Sequence, residues 1–274
     1  MGFPETRLTL VERLAAEGNE SDWRTFLHDY WGPVYRFALR RGAGHSADAE
    51  EVASQTFLVL WQNRLLTRWV SHRSAKLRTL LCSVARNILS NRRRLQGTRQ
   101  RLWQEVADHA EELSRSRNPD TDAFYAAWVE DLLAAALETL ARECHRNGQG
   151  DQVRVLYGRI CEDLSFAEIA KTLDITVSSA DYYFRRARAR LGTVLEETVR
   201  SHVARYCGEA QAEVEFAHEW QRLGEYLAEF GGLEDALRRA CASVSLAEMS
   251  QSRRTSLLRA ATRLTSVMRS AEEA

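Results

Sequence analysis

Between Glu51 and Glu105 the sequence contains no aspartate or glutamate. The same stretch holds eleven basic residues: Arg64, Arg68, Arg73, Lys76, Arg78, Arg86, Arg92, Arg93, Arg94, Arg99 and Arg101. The chain as a whole is neutral, with 38 basic and 38 acidic side chains in 274 residues, so the imbalance is local. A run of one sign with a clear apolar pattern implies an anionic partner, because without one it only repels itself. The absence of carboxylates also excludes a two-metal nuclease centre within the run.

Other scarcities narrow the fold. Three prolines and fourteen glycines interrupt the chain, and stretches such as Leu132–Leu140 are rich in the good helix formers Ala, Leu and Glu. The sequence predicts an all-α protein. Five cysteines (Cys82, Cys144, Cys161, Cys207 and Cys241) are scattered, with no C-x-x-C pair. That spacing predicts neither a disulfide framework nor a zinc site, and Cys144-His145 is adjacent rather than at ligand spacing. No metal or other cofactor is expected. The start, MGFPETRLTL, lacks the apolar core of a signal peptide, and no run approaches the length of a membrane span. The expected location is the cytoplasm, with no membrane partner. With no Gly-rich phosphate loop, nucleophile motif or Asp/Glu/His constellation, the chain is not expected to be an enzyme.

Four segments follow from periodicity. Residues 8–95 read as helical, with Phe26, Tyr30, Val34 and Phe37, then Val52, Leu58 and Trp61, at helical spacing. The turn from Gly42 to Ser46 separates these helices, and Ser46 is a candidate N-cap. Residues 96–122 read as a linker containing the turn-prone Asn118-Pro119-Asp120. Residues 123–199 open with an amphipathic helix carrying Trp128, Leu132, Leu133, Ala136, Leu137 and Leu140, stopped by Arg146-Asn147-Gly148-Gln149-Gly150. Residues 200–274 form a further helical extension, Glu-rich at first and Arg-rich from Arg253, broken at Gly231-Gly232.

The most specific motif is LSFAEIAKTLDITVSSADYYFRRARARL, Leu164 to Leu191. Ser165 caps a helix with Glu168 at the capping-box position, and Phe166, Ile169, Ala170 and Leu173 line one face. Asp174 tolerates the left-handed turn, and Ile175 and Val177 anchor it. Ser178 or Ser179 then caps a second helix, whose Ala180, Phe184, Ala187 and Leu191 point inward. Tyr182, Tyr183, Arg185, Arg186, Arg188 and Arg190 remain for the outside. This is helix-turn-helix chemistry: residues near the start of the second helix reach base edges, and flanking arginines grip phosphate. Ser179 and Asp181 belong to the same reading end, where a carboxylate can accept from a cytosine amino group.

Over roughly residues 20 to 198 the sequence resembles the extracytoplasmic-function sigma factors of the sigma-70 family. The Leu164–Leu191 stretch is similar to their region four. DAEEVASQTFLVLW (Asp48 to Trp61) and LRTLLCSVARNILSNRRR (Leu77 to Arg94) are similar to their region two. The resemblance implies that Asp48, Glu50 and Glu51, with Phe57, Leu60 and Trp61, dock on core RNA polymerase at its beta-prime subunit, with the beta subunit as a further partner. It also implies that Lys76, Arg78, Arg86, Asn87, Arg92 and Arg93 melt and read the minus-ten element of promoter DNA. Region four would read the minus-thirty-five element, and the linker would thread through the polymerase.

The sequence departs from the family at three places. Ser54-Gln55 stands where Gln and an acidic residue are usual, Leu80 replaces a common Trp, and about seventy-five residues follow region four. The first departure motivates phosphorylation of Thr56 or Ser54 by a Ser/Thr kinase, which restores negative charge to the docking helix. The last motivates an extension that either folds back over the DNA-binding module as an inhibitory or sensing element, as an inhibitory partner would act, or simply extends its core. The competing reading is a helix-turn-helix regulator that binds an operator without polymerase.

Overall fold

The computed structural model describes residues 9–16, 18–72, 76–93 and 119–242, and every regular element among them is an α-helix. The helices are α1 (Leu10–Ala15), α2 (Glu20–Arg40), α3 (Ser46–Gln62), α4 (Leu65–His72), α5 (Leu77–Arg93), α6 (Pro119–Arg146), α7 (Gly150–Ile160), α8 (Phe166–Leu173), α9 (Val177–Tyr206), α10 (Glu209–Glu229) and α11 (Gly232–Ala242). None of the described helices is long and apolar enough to cross a membrane. The chain divides into two compact units, with the boundary between Trp128 and Val129, inside α6.

The first unit is organised around aromatic side chains. Phe26 and Phe37 of α2 and Phe57 of α3 are fully buried. Phe26 meets Phe57 edge-on at 5.6 Å, while Trp31 stacks on Phe57 at 6.0 Å. Such pairs contribute about 0.5–1.5 kcal/mol each beyond the area they bury. Helix α3 packs against α2, α4 and α5, so most of its circumference is enclosed. Two glycines with positive φ, Gly42 (106°) and Gly44 (69°), shape the turn before α3. The expected Ser46 cap is corrected: His45 occupies the cap position without a side-chain bond, and the Ser46 hydroxyl lies 3.0 Å from that of Tyr35. Helix α2 also carries Pro33 in its interior, where the ring removes one backbone hydrogen-bond donor.

The start of α6 belongs to this unit. Its first residue is Pro119, suited to the first helical turn because its missing N–H would have no partner there. The helix therefore begins inside the span read as linker. Phe124 is buried against Phe37, with ring centroids 5.5 Å apart.

In the second unit α7, α8 and α9 form a three-helix core, α10 packs along α9, and α11 packs against α10 and α7. Val194, Leu195, Val199 and Val203 continue the buried stripe of α9, so this helix runs unbroken past residue 199 to Tyr206. Arg200 bridges α9 to α10, its guanidinium 3.9 Å from the centre of the Phe216 ring and 2.6 Å from Glu213. The cysteine expectation is corrected here. Cys161, at the end of α7, and Cys241, in α11, form a disulfide with Cα atoms 6.1 Å apart. The pairing spans 80 positions, which no local spacing rule detects.

Candidate nucleic-acid interface

The helix-turn-helix is built from the ends inward. The Ser165 hydroxyl accepts from the Glu168 amide at 3.3 Å, and the Glu168 carboxylate accepts from the Ser165 amide at 2.8 Å and its hydroxyl at 2.7 Å. This closes the capping box that the sequence predicts at α8. The hydroxyl bond first, and the amide bond second, hold the Glu168 carboxyl below its ordinary range. Substituting Ser165→Ala is expected to cost about 1 kcal/mol of stability, read as a lower melting temperature of the second unit. Because the folded-state value is depressed, the Glu168 contribution is present above the ordinary carboxylate range. It is lost as pH falls through the depressed value. The gap in melting temperature between the native chain and Glu168→Gln should therefore be widest near neutrality and close in acid.

Asp174 ends α8 with φ 54° and ψ 45°, the left-handed turn expected of it. The core beneath the turn comprises Val155, Ile169, Ala170 and Ala180, with Leu164, Phe166, Leu173, Ile175, Tyr183 and Phe184 packed around it. Two expectations are corrected at this point. Thr176, not Ser178 or Ser179, caps α9: its hydroxyl accepts from the Ser179 amide at 3.0 Å and lies 2.8 Å from the Ser179 hydroxyl. Val177, expected to anchor the turn, is 52% exposed, leaving Ile175 as the apolar anchor.

Along α9, Ala180, Ala187 and Leu191 are fully buried. The opposite face presents Tyr182, Arg185 and Arg186. Tyr182 is half exposed, and its hydroxyl accepts from Arg186 at 3.1 Å. Arg185 reaches back one turn to Asp181 at 2.7 Å. That pair offsets the carboxylate's repulsion of phosphate and fixes the guanidinium over the first turn. Tyr183, expected outside, instead joins the core, its ring 6.0 Å from that of Tyr182. Arg188 bonds Glu234 of α11 at 3.3 Å.

Arg190 is a brace. It makes two bonds to Glu143 of α6, at 3.0 and 3.1 Å, and a third to Glu197 at 3.3 Å. The hydrogen bond to Glu143 is the largest cause raising its pKa. Arg190→Ala should lower the melting temperature of the second unit, by about 1 kcal/mol of stability for so partly exposed a pair. DNA affinity measured well below the transition should barely change.

In the first unit the basic helix α5 is enclosed. Leu80, Leu81, Cys82, Val84 and Ala85 are buried, and Lys76, Arg78, Arg86 and Asn87 are each half-buried. Arg86 bonds Asp120 at 3.4 Å, and Arg41 bonds the same carboxylate at 3.0 Å. The Arg78 guanidinium lies 5.0 Å from the Tyr125 ring centre and 5.8 Å from that of Trp128, two rings stacked on each other at 5.6 Å, and so within cation–π range of both. Two of the candidate reading arginines are thus engaged by the start of α6. Arg92 and Arg93 close the helix, and their side chains lie outside the described residues.

Helix α3, expected to dock on polymerase, is divided by burial. Asp48, Glu50, Glu51 and Trp61 are half-exposed, and Gln55 donates to Glu51 at 2.8 Å. Phe57 and Leu60 are corrected from docking surface to core, since 0% and 1% of their surfaces are exposed. Thr56 is likewise fully buried, its hydroxyl donating to the Val52 carbonyl at 2.8 Å, and Ser54 is buried too. The expectation of exposed hydroxyls is therefore corrected: α3 packs on three helices, so a kinase would reach them only if α3 left the core.

Glu215, His218 and Glu219 of α10 bring ligand atoms within 4.8 Å of one another. Each is already engaged with other groups, and the cluster carries no metal assignment. No curated protein and no solved structure matches the chain. Residues 151–191 match the family described as sigma-70, region 4. That span opens at the start of α7 and closes at Leu191, enclosing the whole helix-turn-helix. Within the second unit, the stretch that holds the helix-turn-helix is thus similar to sigma-70 region 4.

Proposed function

We propose that this chain is a sigma factor of the extracytoplasmic-function type, which binds core RNA polymerase in the cytoplasm and directs it to specific promoters without catalysing a reaction. The observation that carries the reading is a region 4 helix-turn-helix whose second helix turns Tyr182, Arg185 and Arg186 outward over a closed apolar core. Arginine offers a planar fork for guanine edges or phosphate, and an exposed tyrosine supplies a further contact. In this reading α9 lies in the major groove at the minus-thirty-five element. The helices α2 to α5 then serve as region two: the acidic edge of α3 (Asp48, Glu50, Glu51) and Trp61 meet the polymerase, and α5 serves the minus-ten element.

Electrophoretic mobility shift with DNA from upstream of the chain's own gene tests this reading. The expected result is weak binding by the chain alone and a sequence-specific shift once purified core polymerase is added. A specific shift by the chain alone, unchanged by polymerase, would contradict it and identify a free-standing operator-binding regulator.

A further inference from the structure

The disulfide ties two elements of unequal kind. Cys161 closes α7 immediately before the Glu162–Leu164 turn that leads into the helix-turn-helix. Cys241 lies near the end of α11, beyond the residues matched to region 4. Gly231 and Gly232, the latter the first residue of α11, both have positive φ (88° and 85°), a sharp bend after α10. It buries Ala236, Leu237 and Ala240. Arg238 donates to the Ile160 carbonyl at 3.2 Å. One turn earlier, Glu234 reaches Arg188 of the recognition helix at 3.3 Å. A carboxylate on that guanidinium takes up the charge with which an arginine grips a DNA phosphate.

We propose that Cys161 and Cys241 are a reversible thiol–disulfide pair whose oxidised form clasps α11 to the DNA-binding module and holds Glu234 on Arg188. Reduction frees α11 and returns Arg188 to DNA. The DNA-binding half of this proposal rests on the sigma-factor reading. In the reducing compartment where promoters are read, lasting disulfides are rare and those that form are mostly regulatory.

The chemistry balances with a peroxide as oxidant. One thiolate sulfur attacks a peroxide oxygen, the O–O bond breaks, and a sulfenic acid and water form. The second thiol's sulfur then displaces the sulfenic hydroxyl as water, giving the S–S bond, with both thiol protons carried away in water. A dithiol reductant reverses this through a mixed disulfide and returns two protons to the cysteines. Both sulfurs belong to partly exposed residues. Cys82 and Cys144 are buried. Burial pushes the Cys82 thiol up to about 12 and raises that of Cys144, so neither competes as a thiolate at neutral pH.

The test uses the full chain with Cys207→Ser, which removes the third partly exposed cysteine, one outside the disulfide. Three readouts follow treatment with hydrogen peroxide or with a glutathione buffer of cytosolic ratio. Peptide mapping after thiol alkylation should find Cys161 and Cys241 joined after peroxide and free in the reducing buffer. Amide exchange in α11 should rise on reduction, on the order of tenfold or more, and Cys241→Ser should reproduce the reduced pattern under both conditions. With core polymerase, affinity for the upstream DNA should be several-fold lower in the oxidised form, and Glu234→Gln should remove much of that difference.

A pair that stays joined in the reducing buffer is a permanent staple and overturns the proposal, as does a pair that never joins after peroxide. Unchanged α11 exchange overturns it too. If neither redox form binds DNA, the sigma-factor reading falls, while mapping and exchange still decide whether the clasp exists.

Discussion

Thr56→Glu is expected to unfold the first unit rather than to strengthen a docking surface. The side chain has no exposed surface, and its hydroxyl is spent on the Val52 carbonyl. A glutamate there places an unpaired carboxylate between helices already in contact, beside Phe57 and the rings stacked on it. An uncompensated buried charge costs roughly 3–5 kcal/mol, and the added volume about 1–3 kcal/mol more. Domains of this size are stable by only about 5–15 kcal/mol. Thermal melts followed by circular dichroism should show the helical signal of the first unit lost below about 45 °C, the lower edge of ordinary domain midpoints. Asp48→Asn and Glu51→Gln on the same helix are half-exposed and should melt like the native chain. Their effect, if α3 docks on polymerase through its acidic edge, appears as weaker core binding that converges with the native value at high salt.

The second large effect is expected on α9, the helix proposed to enter the DNA groove. Arg185→Ala and Arg186→Ala each remove an outward guanidinium without touching the core beneath. Each should cost about 1–3 kcal/mol of promoter affinity, roughly 5- to 150-fold. The salt dependence separates the two modes of contact. An arginine that grips phosphate lowers the slope of log affinity against log salt by about one when removed. An arginine that reads a base leaves the slope near its native value and relaxes specificity at one position. Fluorescence anisotropy of labelled promoter with the reconstituted holoenzyme, across a salt series, measures both. Melting temperatures should stay within a degree or two of native, in contrast with Arg190→Ala, whose partner Glu143 lies in α6.

These two predictions mark where the sequence was legible and where it was not. The capping box at Ser165 and Glu168, the left-handed Asp174 and the inward Ala180, Ala187 and Leu191 are all local features. Spacing within one or two turns suffices to read them, and each stands where expected. Spacing does not single out Thr176 as the cap, because Ser178 and Ser179 follow within three residues and any of the three hydroxyls fits a cap. The side of α3 that holds Thr56 could not be read because a helix packed on one neighbour and a helix packed on three carry similar apolar spacing. The distinction lies in how many helices surround it. Asp120 stood in the span read as linker, yet it pairs with Arg41 and Arg86. Contacts of that sequence separation follow from tertiary packing. The disulfide across 80 residues belongs to the same class.

Run-off transcription tests most directly the proposal that this helix-turn-helix, similar to sigma-70 region 4, works as part of a polymerase specificity factor. Purified core polymerase, the full chain and a template from upstream of its own gene should yield a discrete transcript. That transcript should be absent without the chain and reduced at least severalfold by Arg186→Ala. No transcript, together with no binding to core polymerase and specific duplex binding by the chain alone, would contradict the account.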